Sequence, residues 1–250
     1  MPAPPVDATF GTAIGDGAAT TFTYSHTISS NGNRVLTVAV TLEGTLSVVS
    51  GITYNAVAMT LKRQGDIVEG PNRLYTSIWY MLEASLPVGG TYTVEVTLSS
   101  NETNKNWAAT SISVYDAQQA APEADALGSS DVDATAITTA ITTLTADALI
   151  IEAVACNIGT SWVPGSGQTE RSDQQSTGSV HTHATGTDVT TTAGAYSQLQ
   201  TAAATWGRAI HLLLAIAPVA VGITAGEIVT ASGSGNISRL KQRHPVMIGY

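Results

Sequence analysis

The sequence predicts an all-β protein: an antiparallel β-sandwich of jelly-roll type, with an internal pseudo-repeat and an extended C-terminal arm. Three observations carry this. The β-branched run at residues 34–41 (RVLTVAVT) returns in altered form at 148–156 (ALIIEAVAC), and each run has the composition of a central strand. Tyr92, Val94, Val96 and Leu98 alternate with Thr91, Thr93, Glu95, Thr97 and Ser99, the two-residue period of a strand with one dry and one wet face. Hydrophobic residues make up 43% of the 250 and charged ones 12%, so hydroxyls more than charges must cover the surface, as suits stable β-structure.

Taken in order, the first strand is expected at 8–12 and the second at 20–28, where Phe22, Tyr24 and His26 share a face. Asn31, Gly32 and Asn33 accept a tight turn and deliver the chain into 35–41. Short strands follow at 46–50 and 52–54, then one at 56–63 with Val57, Met59 and Leu61 on one face. Residues 73–83 are apolar on both alternating sets, the pattern of a strand buried on both faces. After the alternating strand at 91–99 comes 107–115, opened by Trp107. Residues 117–133 are rich in Ala, Pro, Asp and Gly and read as the connection between the halves.

In the second half, 132–145 has apolar residues at helical spacing, but its six threonines favour strand because branching at Cβ restricts the side chain in a helix. The strand at 148–156, a loop at 157–167, and strands at 168–175, 180–188 and 195–201 follow. The piece at 206–216, opened by Trp206, is assigned as strand by analogy with 107–115. The domain expectation is a sandwich over 1–217, with halves at about 7–120 and 128–217, and an arm over 218–250. A short strand at 227–231 and a Gly/Ser hinge at 232–236 are expected within the arm.

Charge and cysteine usage narrow the function classes. A net charge of −9 with ten basic residues speaks against direct nucleic-acid binding, which needs clustered Lys and Arg. Three of the ten, Arg239, Lys241 and Arg243, lie in the last 34 residues against one acid, Glu227, so the arm differs in character from the body. Cys156 is the only cysteine, so the fold must hold without an intramolecular disulfide. The N-terminal Met-Pro-Ala-Pro-Pro lacks the basic and apolar regions of a signal peptide, and the longest apolar stretch, 209–221, contains His211 and Pro218. The expectation is a protein made in the cytoplasm, without membrane insertion.

No catalytic signature emerges. A Gly-x-Ser-x-Gly elbow is missing and a cysteine metal framework needs more than one cysteine. His181 and His183 point to one face if they lie on a strand, half of a zinc geometry, but read more simply as a polar exposed face. Asp131, Asp133 and Thr135 resemble a calcium-loop fragment without its Gly and distal Glu. No metal, cofactor or catalytic residue is assigned. Trp162, in a Gly/Pro/Ser loop, is the candidate for stacking on a sugar ring, the alternative being a ring folded back over the sandwich end. Trp79, Trp107 and Trp206 are read as core, and Cys156 as a small apolar filler.

Residues 33–40 (NRVLTVAV), 52–61 (ITYNAVAMTL), 78–82 (IWYML), 90–96 (GTYTVEV), 148–154 (ALIIEAV), 167–174 (GQTERSDQ) and 206–210 (WGRAI) together resemble β-sandwich modules of tailed-phage and prophage virion structural proteins. The resemblance spans roughly 7–217. It implies a sandwich in a virion context and carries over no functional residue. On it rests the expectation of a non-enzymatic virion surface protein, a head decoration or a spike or fibre component. Its partners would be capsid or tail subunits, with a homotrimer as one assembly. Arg239, Lys241, Arg243, Val246, Met247, Ile248 and Tyr250 would dock the arm by charge and apolar anchors. The alternative is a carbohydrate-binding module or adhesin recognising host-surface glycan, and the third class is a glycan-degrading enzyme on the same fold.

Overall fold

The computed structural model describes residues 2–7, 11–44, 47–101, 105–176 and 180–220. Among them the chain forms seventeen strands, one 3₁₀ turn (Glu83–Ser85) and no α-helix. The first half contains β1 (Gly11–Asp16), β2 (Thr21–Ile28), β3 (Val35–Gly44), β4 (Val49–Tyr54), β5 (Val57–Ala58), β6 (Thr60–Glu69), β7 (Asn72–Leu82), β8 (Gly90–Leu98) and β9 (Asn106–Val114). The second contains β10 (Ala124–Ser130), β11 (Ala134–Thr143), β12 (Leu149–Cys156), β13 (Trp162–Pro164), β14 (Thr169–Gln175), β15 (Thr182–Val189), β16 (Gly194–Trp206) and β17 (Ala209–Ile216). They lie in one compact unit, Met1–Ala220.

Antiparallel pairing gives four open sheets: β2-β8-β4-β5, β1-β9-β3-β7-β6, β10-β17-β12-β15-β14 and β11-β16-β13. Side-chain packing stacks them in that order. Leu36, Val38, Val40 and Leu42 of β3 pack with Phe22, Ile52, Val94 and Val96 between the first two sheets. The opposite face of the second sheet, with Ala39, Leu74 and Ile78, meets Ala153, Ala155, Ile210, Leu212 and Leu214 of the third. Val35, Ile112 and Val114 extend that contact to Leu149, Ile151 and Ile216. Between the third and fourth sheets lie Val154, Cys156, Ile137, Trp162 and Trp206, with Ile150, Ile141 and Leu213 alongside.

This stacking explains the two runs that organise the sequence. β12 and β17 are buried at every position and β3 at all but its last two, because the two five-stranded sheets are covered on both faces. A strand in that situation cannot alternate. Each fully buried Val, Leu or Ile contributes roughly 1.5–3 kcal/mol, so the layers between sheets supply the main stabilisation. The outer sheets alternate: in β8, Val94, Val96 and Leu98 are buried while Thr91, Thr93 and Glu95 are exposed.

Several expectations are corrected. Residues 117–133 are not only a connection: β10 lies within them and pairs with β17 along its whole length. Its Gly, Ser and Asp content hid it, as an edge strand needs little apolar surface. Val57, Met59 and Leu61 do not share a buried face; Met59 is 6% exposed, but Val57 and Leu61 are 42% and 38% exposed, since the chain passes at Met59 from the edge of the first sheet, β5, to the edge of the second, β6. Trp206 closes β16 and does not open β17, with Gly207 and Arg208 making the turn. The strands expected at 46–50 and 52–54 are one, β4, bulged between Val49 and Gly51 where it pairs with β8.

The final described residues are fastened to the body: Pro218 bridges Ala117, and the Val219 amide donates to the Asp116 carbonyl at 2.8 Å. Residues 221–250, with the strand expected at 227–231 and the hinge at 232–236, lie outside the described residues.

Candidate functional site

A groove of about 530 Å³ lies on the solvent face of the first sheet, lined by Thr53, Asn55, Ala56, Thr91, Tyr92, Thr93 and Glu95. Its floor follows from strand alternation. Thr91, Thr93 and Glu95 are the outward set of β8, and Thr53 of β4 sits directly across the ladder from Glu95. One wall is the β4–β5 turn, in which Asn55 and Ala56 have φ of 49° and 61°. Two successive left-handed residues make the tight hairpin turn whose twist suits flanking strands. Asn tolerates this conformation, whereas Ala pays about 1–2 kcal/mol of steric strain. The Asn55 amide donates to the Thr93 carbonyl at 3.0 Å, fixing the turn against β8. Tyr92 forms the inner end, its ring edge-on to Tyr54 at 5.8 Å.

Chemically the lining offers hydroxyls, one amide and one carboxylate, with no basic side chain. Such a set exchanges hydrogen bonds with a neutral polyhydroxylated ligand and repels an anion. Hydrolysis of a glycosidic bond by the usual route uses two carboxyl groups about 5–9.5 Å apart; this lining supplies one, Glu95.

The residues singled out from sequence fall elsewhere. Trp162 is corrected: its ring is 2% exposed, packed with Val154, Cys156 and Trp206, and its amide donates to Asp173 Oδ2 at 2.9 Å. It closes the core between the third and fourth sheets and presents no face to a sugar. The exposed-face reading of His181 and His183 is corrected too, since both are fully buried. His183 Nε2 lies 3.0 Å from Thr110 Oγ1 of β9, across the contact between the two halves. Burial pushes both imidazoles down to about 3. Among the described residues no three His, Cys, Asp or Glu side chains come together as a metal site. Arg239, Lys241, Arg243, Val246, Met247, Ile248 and Tyr250 lie outside the described residues.

No protein-family model, curated protein or solved structure matches this chain.

Two polar clusters, invisible in the sequence because their members are far apart, are buried within the sandwich. His26 Nδ1 accepts from the Gly11 amide at 3.2 Å and lies 2.9 Å from Ser111 Oγ, while Asp7 accepts from Ser113 Oγ at 2.5 Å. The residue types are those of a nucleophilic triad, but Asp7 bonds Ser113 instead of the imidazole, and His26 and Ser111 are 1% and 0% exposed. The cluster fastens β1 and the N-terminal segment to β9. In the second half Glu152 Oε2 lies 3.0 Å from His211 Nε2 and accepts from Gln168 Nε2 at 3.3 Å. Gln168 also bonds Gln198, whose amide reaches Asp188 at 2.9 Å. A Cβ on Gly186 would stand 2.3 Å from Glu152 Oε1, so that glycine makes room for the carboxylate.

Proposed function

We propose that this chain is a non-enzymatic structural protein of a tailed-phage-type particle, exposed on the virion surface as a head decoration or as part of a spike or fibre. The observation that carries the reading is the strand order. In the first half β1-β9-β3-β7-β6 faces β2-β8-β4-β5, and in the second β10-β17-β12-β15-β14 faces β11-β16-β13. Matched in sequence order, these are one plan used twice, a jelly-roll pseudo-repeat in which β6 and β14 have joined the larger sheet. Jelly rolls are the architecture of many viral shell proteins and lectins, and the link from fold to function is an analogy. The sequence resemblance to virion modules supports the same assignment.

In this reading the sandwich projects outward and residues 218–250 dock on capsid or tail subunits through Arg239, Lys241, Arg243 and the apolar Val246, Met247, Ile248 and Tyr250. The test is particle association. Full-length chain is expected to co-sediment with purified particles of its source and to label on their surface with antibody. Its absence from particles overturns the proposal, and unchanged association of a 1–217 chain overturns the docking role of the arm.

A second reading, recognition of a neutral host-surface glycan, is favoured by the groove at Thr53, Asn55, Thr93 and Glu95. Here Glu95→Ala is expected to abolish binding on a panel of neutral glycans. Unaltered binding by that variant, or no binding by the native chain, rejects it.

A further inference from the structure

The turn between β2 and β3, residues 29–34, lies outside every strand and carries the one Asn-Gly pair of the sequence, Asn31-Gly32. Asparagine is a chemically labile residue, and its side chain can react with the backbone amide that follows it when three conditions hold together. Water must reach the pair, the amide N–H must be free of a structural hydrogen bond, and no Cβ may shield its nitrogen. Asn31 and Gly32 are both exposed. Among the described residues neither the Gly32 amide nor the Asn31 side chain forms a hydrogen bond. Glycine has no Cβ, and one built at Gly32 would meet nothing within 4 Å, so the space beside this amide is open.

No other described asparagine meets all three. The amide after Asn33 belongs to Arg34 and donates to Glu83 Oε2 at 2.8 Å. Ala56 follows Asn55 and brings a Cβ, in a turn held by the bond from the Asn55 amide to the Thr93 carbonyl. Asn72 and Asn106 stand in paired strands, before Arg73 and Trp107. Asn157 Oδ1 is engaged by the amides of Gly207 and Arg208, and Asn101 precedes a glutamate.

We propose that Asn31-Gly32 is a site of spontaneous backbone rearrangement, at which the asparagine is converted to aspartate and isoaspartate. Hydroxide takes the Gly32 amide proton, and the nitrogen attacks Asn31 Cγ. The new N–Cγ bond closes a five-membered imide as the Cγ–Nδ2 bond breaks, and ammonia leaves with a proton from water. A second water opens the ring and restores the Gly32 N–H. Opening at Cγ gives aspartate, whereas opening at the Asn31 backbone carbonyl gives isoaspartate, whose main chain runs through Cβ and Cγ and is one carbon longer. The carbonyls of Gly32 and Asn33 accept the amides of Asp116 and Ala117 at 3.1 and 2.9 Å, and the Asp116 carbonyl accepts the Val219 amide at 2.8 Å. A lengthened turn therefore disturbs the bonds that tie the connection between the halves, and Val219 through it, to the start of β3.

The test incubates the folded full chain in mildly alkaline buffer and follows each asparagine by peptide mass spectrometry, with isoaspartate scored by methyltransferase labelling. Conversion is expected at Asn31 ahead of every other described asparagine, at a rate proportional to hydroxide concentration. Gly32→Ala, for which the structure has room and an ordinary backbone angle, is expected to slow it about tenfold or more, because the Cβ that glycine lacks shields the nitrogen. Peptide-resolved hydrogen exchange of residues 115–119 then reads the consequence. It is expected to be faster in the isoaspartyl chain and unchanged in Asn31→Asp, which adds the charge without the extra carbon. Faster conversion at another described asparagine, a rate indifferent to hydroxide, or a Gly32→Ala chain that converts like the native one would each overturn the site. Native exchange at 115–119 in the isoaspartyl chain would overturn its coupling to the connection between the halves.

Discussion

At the residue scale the buried polar and aromatic groups hold the surprises, because burial depends on partners that no local pattern records. Trp162 sits among Gly, Pro and Ser, a setting that reads as an exposed loop, yet its three-residue strand pairs with Thr201 and Ala202 of β16 and swings the ring into the core. We expect Trp162→Ala to lower stability by about 3–5 kcal/mol through the cavity it leaves, read as a fall in the urea midpoint. Glycan binding by the native chain, if measured, should survive in whatever fraction remains folded. The same blindness applies to His181 and His183: a period of two shows that they share a face, but not whether that face meets water or the other half of the protein. The groove at Thr53 and Glu95 was legible in part, since the outward set of β8 is plain from alternation, whereas its Asn55-Ala56 wall was not, since the sequence pattern starts a strand at Ala56, which the structure places in the turn.

At the element scale legibility follows the number of covered faces. Strands covered on both faces (β3, β7, β12, β17) and the cleanly alternating β8 announce themselves through apolar content, while edge strands such as β10, with Asp, Gly and Ser, resemble loops. One connection between elements has a sharper consequence. Arg34, at the entry to β3, is 5% exposed and forks onto Glu83 in the 3₁₀ turn after β7, with Nε–Oε2 and Nη2–Oε1 distances of 2.8 and 2.6 Å. The Arg34 amide donates to the same carboxylate at 2.8 Å, and these bonds hold the Glu83 carboxyl below its usual range. Glu83→Ala leaves a buried guanidinium with the Ser29 carbonyl as its remaining bonded partner in this fork. Losing charge-assisted bonds of this kind costs roughly 1.5–3 kcal/mol. The variant's thermal midpoint should fall accordingly, and Arg34→Met in the same background should cost little more, because the two residues act as one unit.

For the whole molecule, the decisive feature is that the two halves pack their largest sheets face to face. Residues 1–120 alone would bare the face formed by Val35, Ala39, Leu74, Ile78, Ile112 and Val114, which in the full chain meets the second half. The native chain is therefore expected to unfold in one transition by both circular dichroism and tryptophan fluorescence, and the 1–120 fragment to aggregate. Two separated transitions would show the halves to be independent. The shared interior also sets the response to pH. Desolvation lowers His26 to about 4 and His181 and His183 to about 3, against an ordinary value of 6.5. The folded state then binds fewer protons than the unfolded one below pH 6.5, so stability is complete above that pH and is lost as pH falls toward 3–4. Glu43 acts in the opposite sense: burial lifts its carboxyl to about 7 from 4.5 despite Arg208 at 2.8 Å, so its contribution weakens as pH rises from 4.5 to 7. Three histidines with shifts at least as large as that of one glutamate decide the net slope, and stability should rise with pH between about 4 and 6.5. His181→Leu, which removes a buried ring of similar volume from that titration, is expected to flatten the net slope by about half, and Glu43→Gln to steepen it. Urea midpoints across that pH range measure both, and a native slope of the opposite sign would mean that the histidines are hydrated in the folded protein.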